Sequence, residues 1–151
     1  MLKKRKIVGA LAGSLLAASF VGCAPSLQTI SSLHEPELWQ AHAKVHHLAD
    51  HSFSSYSKHK DAIRERAIEL YDWPDDVDEL VRNREIRNGM PSQAVYYSWG
   101  PPAEMEERKS SYSTSYTWQY GHVDWRFGSD VTWVYFDEEA ILTHWSSYKD
   151  N

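Results

Sequence analysis

Three groups of side chains have the chemistry and the spacing to do work. The first is a run of histidines. His42 and His46, and again His47 and His51, stand four residues apart. On a helix that spacing turns two imidazoles to one face, where they can chelate a divalent cation. Neither pair has the Glu after its first His that a zincin arrangement needs, and each pair supplies only two ligands. The two pairs also face different directions. A solvated, pH-sensitive helix face is the competing reading, and it is the one we expect; no metal and no cofactor is called for. The second group is the acidic run from Asp72 to Glu79. It lacks the spacing and central Gly of a calcium loop. Asp75, Asp76, Asp78 and Glu79 read instead as negative charge crowded at the start of a helix, where it complements the dipole.

The third group is aromatic. Trp118, Trp125, Trp133 and Trp145, with Tyr112, Tyr116, Tyr120 and Tyr135, crowd the second half of the chain. On one face they would form a stacking platform for cell-wall glycans or a protein-docking patch. In an alternating strand, however, one face is ordinarily core, so Trp118 and Trp133 are expected to fill a helix–sheet interface. Trp125, in a longer connection, is the better candidate for contact with a partner. None of these groups places a nucleophile beside a base, so an enzyme is not expected.

Cys23 is the single cysteine. Before it come a basic stretch, Lys3 to Lys6, and an apolar run from Ile7 to Val21, right for a signal peptide and short for a membrane span. The run ends in Phe20-Val21-Gly22-Cys23, which resembles the lipobox of bacterial lipoproteins, with Phe20 where Leu is usual. A lone thiol in an oxidising compartment would be a liability, so its placement here supports lipidation of Cys23. The alternative is an ordinary secretory signal, which Pro25 disfavours by making a cut after Ala24 poor. Ala24 in place of Asp leans toward an outer-membrane address. Removing residues 1–22 takes away four basic residues and no acidic ones, leaving 12 basic against 21 acidic and a net charge of −9. Such a chain repels phosphate backbones, so nucleic acid is a poor partner.

The elements that must position these groups follow from period. Residues 23–34 read as a lipidated tether of flexible coil, about 20 Å in reach. Residues 35–73 read as a helical segment, with one helix over Pro36 to His51 on the stripe Leu38, Ala41, Val45 and Leu48. A second helix covers Lys58 to Tyr71 on Ile63, Ala67, Leu70 and Tyr71. A third helix starts at Pro74 and continues toward a stop or tight turn at Gly89. Pro91 opens a short helix carrying Ala94, Val95 and Trp99, which Gly100 and two prolines end. After Pro102 the period becomes two. Tyr116 to Tyr120, Val131 to Phe136 and Ile141 to Trp145 read as strands, with a weaker one over Ala103 to Lys109. Ser110 to Ser115 and His122 to Asp130 read as connections. Helices first and an antiparallel sheet afterwards make an α+β class: N-terminal helices on one face of a small three- to four-stranded sheet.

Gly89-Met90, Val95, Gly100 and Pro102 resemble the Gly-Met-x4-Val-x4-Gly-x-Pro signature of the SmpA/OmlA (BamE-like) lipoprotein superfamily. Trp118-Gln119-Tyr120-Gly121 and Tyr135-Phe136-Asp137 are similar to its later strand motifs, Trp-x-Tyr and a final Phe-Asp. The resemblance spans about residues 75–145 and implies a domain over 74–148 of helices packed on a small antiparallel sheet. Here Pro91 follows Gly-Met where the family usually has Thr or Ser, and residues 34–73 are extra to the short prototype. The best-known member of the family is an outer-membrane lipoprotein accessory to β-barrel assembly, without catalytic residues. The resemblance therefore implies a non-enzymatic, lipid-anchored envelope protein facing the periplasm. It would dock envelope proteins in outer-membrane assembly or maintenance. A module binding peptidoglycan or another ligand through exposed aromatics is the alternative.

Overall fold

The change of period at Pro102 marks the change of structure. The computed structural model describes residues 23–50, 56–124 and 128–149. Helices α1 (Leu27–Ile30), α2 (Glu37–Asp50), α3 (Ser57–Tyr71), α4 (Asp75–Asn83) and α5 (Ser92–Trp99) precede strands β1 (Glu104–Lys109), β2 (Thr114–Asp124), β3 (Gly128–Phe136) and β4 (Leu142–Lys149). The strands form one antiparallel sheet in the order β1-β2-β3-β4, with the helices packed against it. This is the α+β class that the sequence implies.

Alternation decides which face of the sheet is inner. Trp118 pairs with Val134 and Tyr116 with Phe136. Directly opposed residues share a face, so this set points one way and its neighbours point the other. Trp118, Val134, Phe136 and Leu142 join Val95, Ile63 and Leu38 in one buried cluster. That cluster runs without a break through residues 35–73 and 74–148. Trp133 does not join it. Its register sets it one residue out of phase with Val134, on the face the helices leave bare, and there it is half-buried. The expectation that Trp133 fills the helix–sheet interface is therefore corrected, while Trp118 does fill it.

Three further expectations change. Helix α4 is stopped not by Gly89 but by Arg84, left-handed at φ 62°, whose N–H bonds back to the carbonyls of Leu80 and Val81. Gly89 (φ 92°) is the tight turn, closed by Met90 N–H on Arg87 O at 3.1 Å, and it serves a tie between helix and sheet. Its N–H donates to Leu142 O at 2.8 Å, and Leu142 N–H donates to Met90 O at 2.8 Å. Residues 122–130 are not all connection, because β2 runs to Asp124 and β3 starts at Gly128. The segment after Cys23 is not free coil. Ser26 caps α1 by accepting from Thr29 N–H, Ile30 is fully buried, and Arg66 Nε donates to Leu33 O at 2.8 Å. One apolar anchor and one charge-assisted bond hold the segment down.

Gly121 is a point where two strands meet too closely for a side chain. It sits at φ 84°, and a Cβ there would run into the carbonyl oxygen of Asp130 across the ladder. Gly89 shares the left-handed backbone but has open space around it. Gly121→Ala should therefore lower the stability by about 2–4 kcal/mol and Gly89→Ala by only about 1 kcal/mol, read as shifts in urea midpoint.

Candidate functional site

The histidines separate once α2 is placed. The buried side of α2 carries Leu38, Ala41, His42 and Val45, so His42 falls inside the apolar stripe and is fully buried. Its ring stacks on Tyr97 at 5.2 Å and meets His46 edge-on at 4.6 Å. His46 is half-buried, and His47 is exposed. The solvated histidine face expected from sequence is thus wrong for His42 and His46: the stripe of i, i+3, i+4 positions takes in residue 42 as well as 41. His51 lies outside the described residues. Among those residues no three His, Cys, Asp or Glu side chains come together as a metal site.

Both ring nitrogens of His42, and Nε2 of His46, lack a hydrogen-bond partner among the described residues. Burial holds both rings neutral, with nearby positive charge adding to it. His42 is pushed well below its ordinary value, and His46 is lowered to about 4. Beside them, Glu35 Oε1 accepts from the hydroxyls of Tyr71 at 2.7 Å and Tyr97 at 2.5 Å. Burial first, and then this carboxylate, raise both phenols far above their ordinary value.

Lys60 and Arg64 from α3 and Arg84 from the end of α4 help line a cavity of about 390 Å³. His46, Ser98, Trp99 and Tyr120 complete its lining, with the Trp99 and Tyr120 rings edge-to-face at 5.3 Å. Arg64 is nearly sealed in, and its side chain is 4% exposed. Its Nε donates to Tyr97 O at 3.1 Å and its Nη1 to Asp61 at 2.8 Å. Burial, and then the charge of Arg84, push its pKa below the ordinary value. Sequence reasoning passed over this cluster. The available signal was Arg64 itself, a charged residue one place from Ile63 and three before Ala67, within the apolar stripe of α3.

The motif residues do assemble. Met90, Val95, Trp118 and Phe136 are buried in one cluster, with the Trp118 and Phe136 rings 4.6 Å apart. Tyr120 packs against the same cluster and donates its hydroxyl to Gly100 O at 3.1 Å. Gly100 (φ 98°) lies under His46, and a Cβ there would stand 2.5 Å from the ring. Pro102 is half-buried beyond it. These residues build the joint between α5 and the sheet. Pro91 caps α5 with its backbone alone, and Ser92 N–H, at the first position of the helix, is held by Ala140 O of the β3–β4 turn at 2.9 Å. Asp75, Asp76 and Asp78 occupy the first turn of α4, the place the dipole argument gives them. Cys23 is exposed. Trp125 lies outside the described residues. No described helix is long and apolar enough to cross a membrane.

The two edges of the sheet differ. Edge strand β1 reads Glu-Met-Glu-Glu-Arg-Lys, charged at five of six positions, which blunts pairing with another chain. Edge strand β4 reads Leu-Thr-His-Trp-Ser-Ser-Tyr-Lys and is exposed at every position after Leu142. Trp145 and Tyr148 are 41% and 53% exposed. On the bare outer face Tyr135 stacks on His144 at 4.4 Å.

The neutral histidines set a pH dependence whose sign follows from burial. The unfolded chain protonates both rings near 6.5, and the folded chain only at lower pH. Stability should be full above that value and decline as pH falls from 6.5 toward 4, by at most about 1.4 kcal/mol per pH unit per ring. Urea midpoints across this window should show the slope, and His42→Phe should flatten it more than His46→Phe. Comparison with protein-family models, with curated proteins and with solved structures found no match.

Proposed function

We propose that the chain is a non-enzymatic envelope lipoprotein whose domain docks a protein partner by adding that partner's strand to the open edge of β4. The observation that carries the docking half is the contrast between the edges. One is armoured with charge; the other, beyond Leu142 with its bonds to Gly89 and Met90, offers an outer edge over residues 143–149 with a single charged residue, Lys149, at its end. Strand addition takes its affinity from main-chain hydrogen bonds and its selectivity from alternate side-chain contacts. Trp145 and Tyr148 sit where such contacts would fall, one toward each face of the sheet.

The anchoring half rests on the lipobox-like Phe20-Val21-Gly22-Cys23 and on the exposure of Cys23 at the start of the described chain. Acyl chains on that thiol hold the protein at the outer membrane, facing the periplasm, as Ala24 favours. The Gly-Met…Gly-x-Pro and Trp-x-Tyr motifs support a place in the SmpA/OmlA (BamE-like) superfamily, and their residues form the joint between α5 and the sheet.

Two measurements test the reading. Cells fed labelled palmitate should label the wild-type chain and not Cys23→Ser; label that survives the substitution removes the anchor. Affinity capture from detergent-solubilised envelopes should recover a partner with the wild type and with Met105→Lys on β1. Trp145→Lys with Tyr148→Lys should lose it. Undiminished recovery with the β4 variant overturns edge docking.

A further inference from the structure

We infer that the cavity walled by Lys60, Arg64 and Arg84 is a binding site for a tetrahedral dianion, a phosphate-type group carried on a small apolar or flat body. This is independent of docking at β4, because the strand residue that lines the cavity is Tyr120 of β2.

The first argument is charge. The other ion pairs among the described residues match one cation to one carboxylate: Arg66 with Glu69, Arg82 with Glu65, Arg87 with Asp76, Arg108 with Glu106 and Lys109 with Glu107. Around the cavity the count does not balance. Asp61 is shared between Arg64 at 2.8 Å and Arg84 at 3.3 Å, and Lys60 has no ion pair among the described residues. Three positive charges line the cavity and none of its lining residues is acidic; the carboxylates nearby are Asp61, shared by two of those cations, and Asp50, which acts on His46. A local surplus of positive charge, partly desolvated, favours an anion from outside.

The second argument is donors. Arg64 spends Nε on Tyr97 O and Nη1 on Asp61. Its Nη2, the Lys60 ammonium and the remaining nitrogens of Arg84 have no acceptor among the described residues. Guanidinium forks match tetrahedral oxyanions, with lysine adding a point charge. Ser98 Oγ and Tyr120 Oη are already committed, to Glu85 O and Gly100 O. The cationic wall therefore takes the oxyanion, and the rings of Trp99 and Tyr120 are left to pack against what carries it. A volume of about 390 Å³ suits a small molecule or a single headgroup.

The third argument is the state of His46. Burial disfavours its proton most, Lys60, Arg64 and Arg84 add to that, Asp50 opposes them, and His42 lies edge-on beside it. A dianion lodged against those cations would cancel their field at the ring.

Isothermal titration of the folded domain with inorganic phosphate, naphthyl phosphate and succinate tests the assignment. Phosphate should bind saturably, naphthyl phosphate at least tenfold tighter, and succinate more weakly than phosphate. Lys60→Ala and Arg84→Ala, both on the accessible side of the cavity, should each weaken phosphate at least tenfold, and Lys58→Ala on the exposed side of α3 should not. Trp99→Leu should remove the naphthyl advantage and leave phosphate unchanged. With saturating sulfate, the His46 ring should titrate above its value of about 4 in NMR. Flotation with vesicles of phosphatidic acid, against vesicles of phosphatidylcholine, separates a lipid headgroup from a soluble phosphate as the source. No saturable phosphate binding overturns the proposal, as does binding that Lys60→Ala and Arg84→Ala leave intact.

Discussion

The fold depends on α5 being buried on all sides. Five consecutive residues, Ala94 to Ser98, are buried in a helix of eight. A helix with no solvent face cannot be covered by a sheet alone. Tyr96 makes the point: it stacks on Trp39 of α2 at 4.0 Å and meets Trp118 of β2 edge-on at 6.3 Å. Tyr97, its neighbour, turns the other way into His42, Tyr71 and Trp73, with its hydroxyl on Glu35. The sheet covers one side of α5, and α2, α3 and α4 cover the rest. Residues 35–73 are therefore not an appendage to a helix-and-sheet core; without them two tyrosines and a tryptophan would stand in water.

That requirement also explains the polar groups in the interior. Tyr97 can be buried because Glu35 accepts a hydrogen bond from its hydroxyl, and Arg64 because Tyr97 O and Asp61 accept from its guanidinium. His42 has no such partner among the described residues and is held by ring contacts alone. The low-dielectric setting makes each unmatched donor costly, and it gives the cavity beside them its strength as an electrostatic trap.

Much of the architecture was legible in the sequence because it is local. The stripe Leu38, Ala41 and Val45, the acidic start of α4, the stop at Gly100 and the alternation through Trp118 each need only near neighbours. What sequence could not supply was phase between elements. Trp133 and Trp118 look equivalent until the β2–β3 register sets them on opposite faces. A bulge at Tyr135/Phe136 likewise lets Leu142 be core while Trp145, three residues on, shares its side at the rim. The cationic cavity was invisible for the same reason. Lys60, Arg64 and Arg84 come from two helices, and their meeting with Trp99 and Tyr120 is a product of how α2, α3, α4 and β2 converge on α5. Glu35 gave no signal at all, since its role appears only when two phenols 36 and 62 residues away arrive at it.

The first turn of helix after Cys23 has a geometric consequence. Ile30 is sunk into the core, Ala24 and Leu33 pack against it, and Arg66 grips the chain at Leu33. Almost no slack then separates the thiol from the body of the protein. A leash lets its cargo tumble; a bracket fixes its attitude. Were acyl chains to seat Cys23 in a bilayer, the domain would be mounted on the leaflet with one side permanently toward the headgroups. Its search for a partner would run in two dimensions, with much of the rotational entropy of encounter already lost.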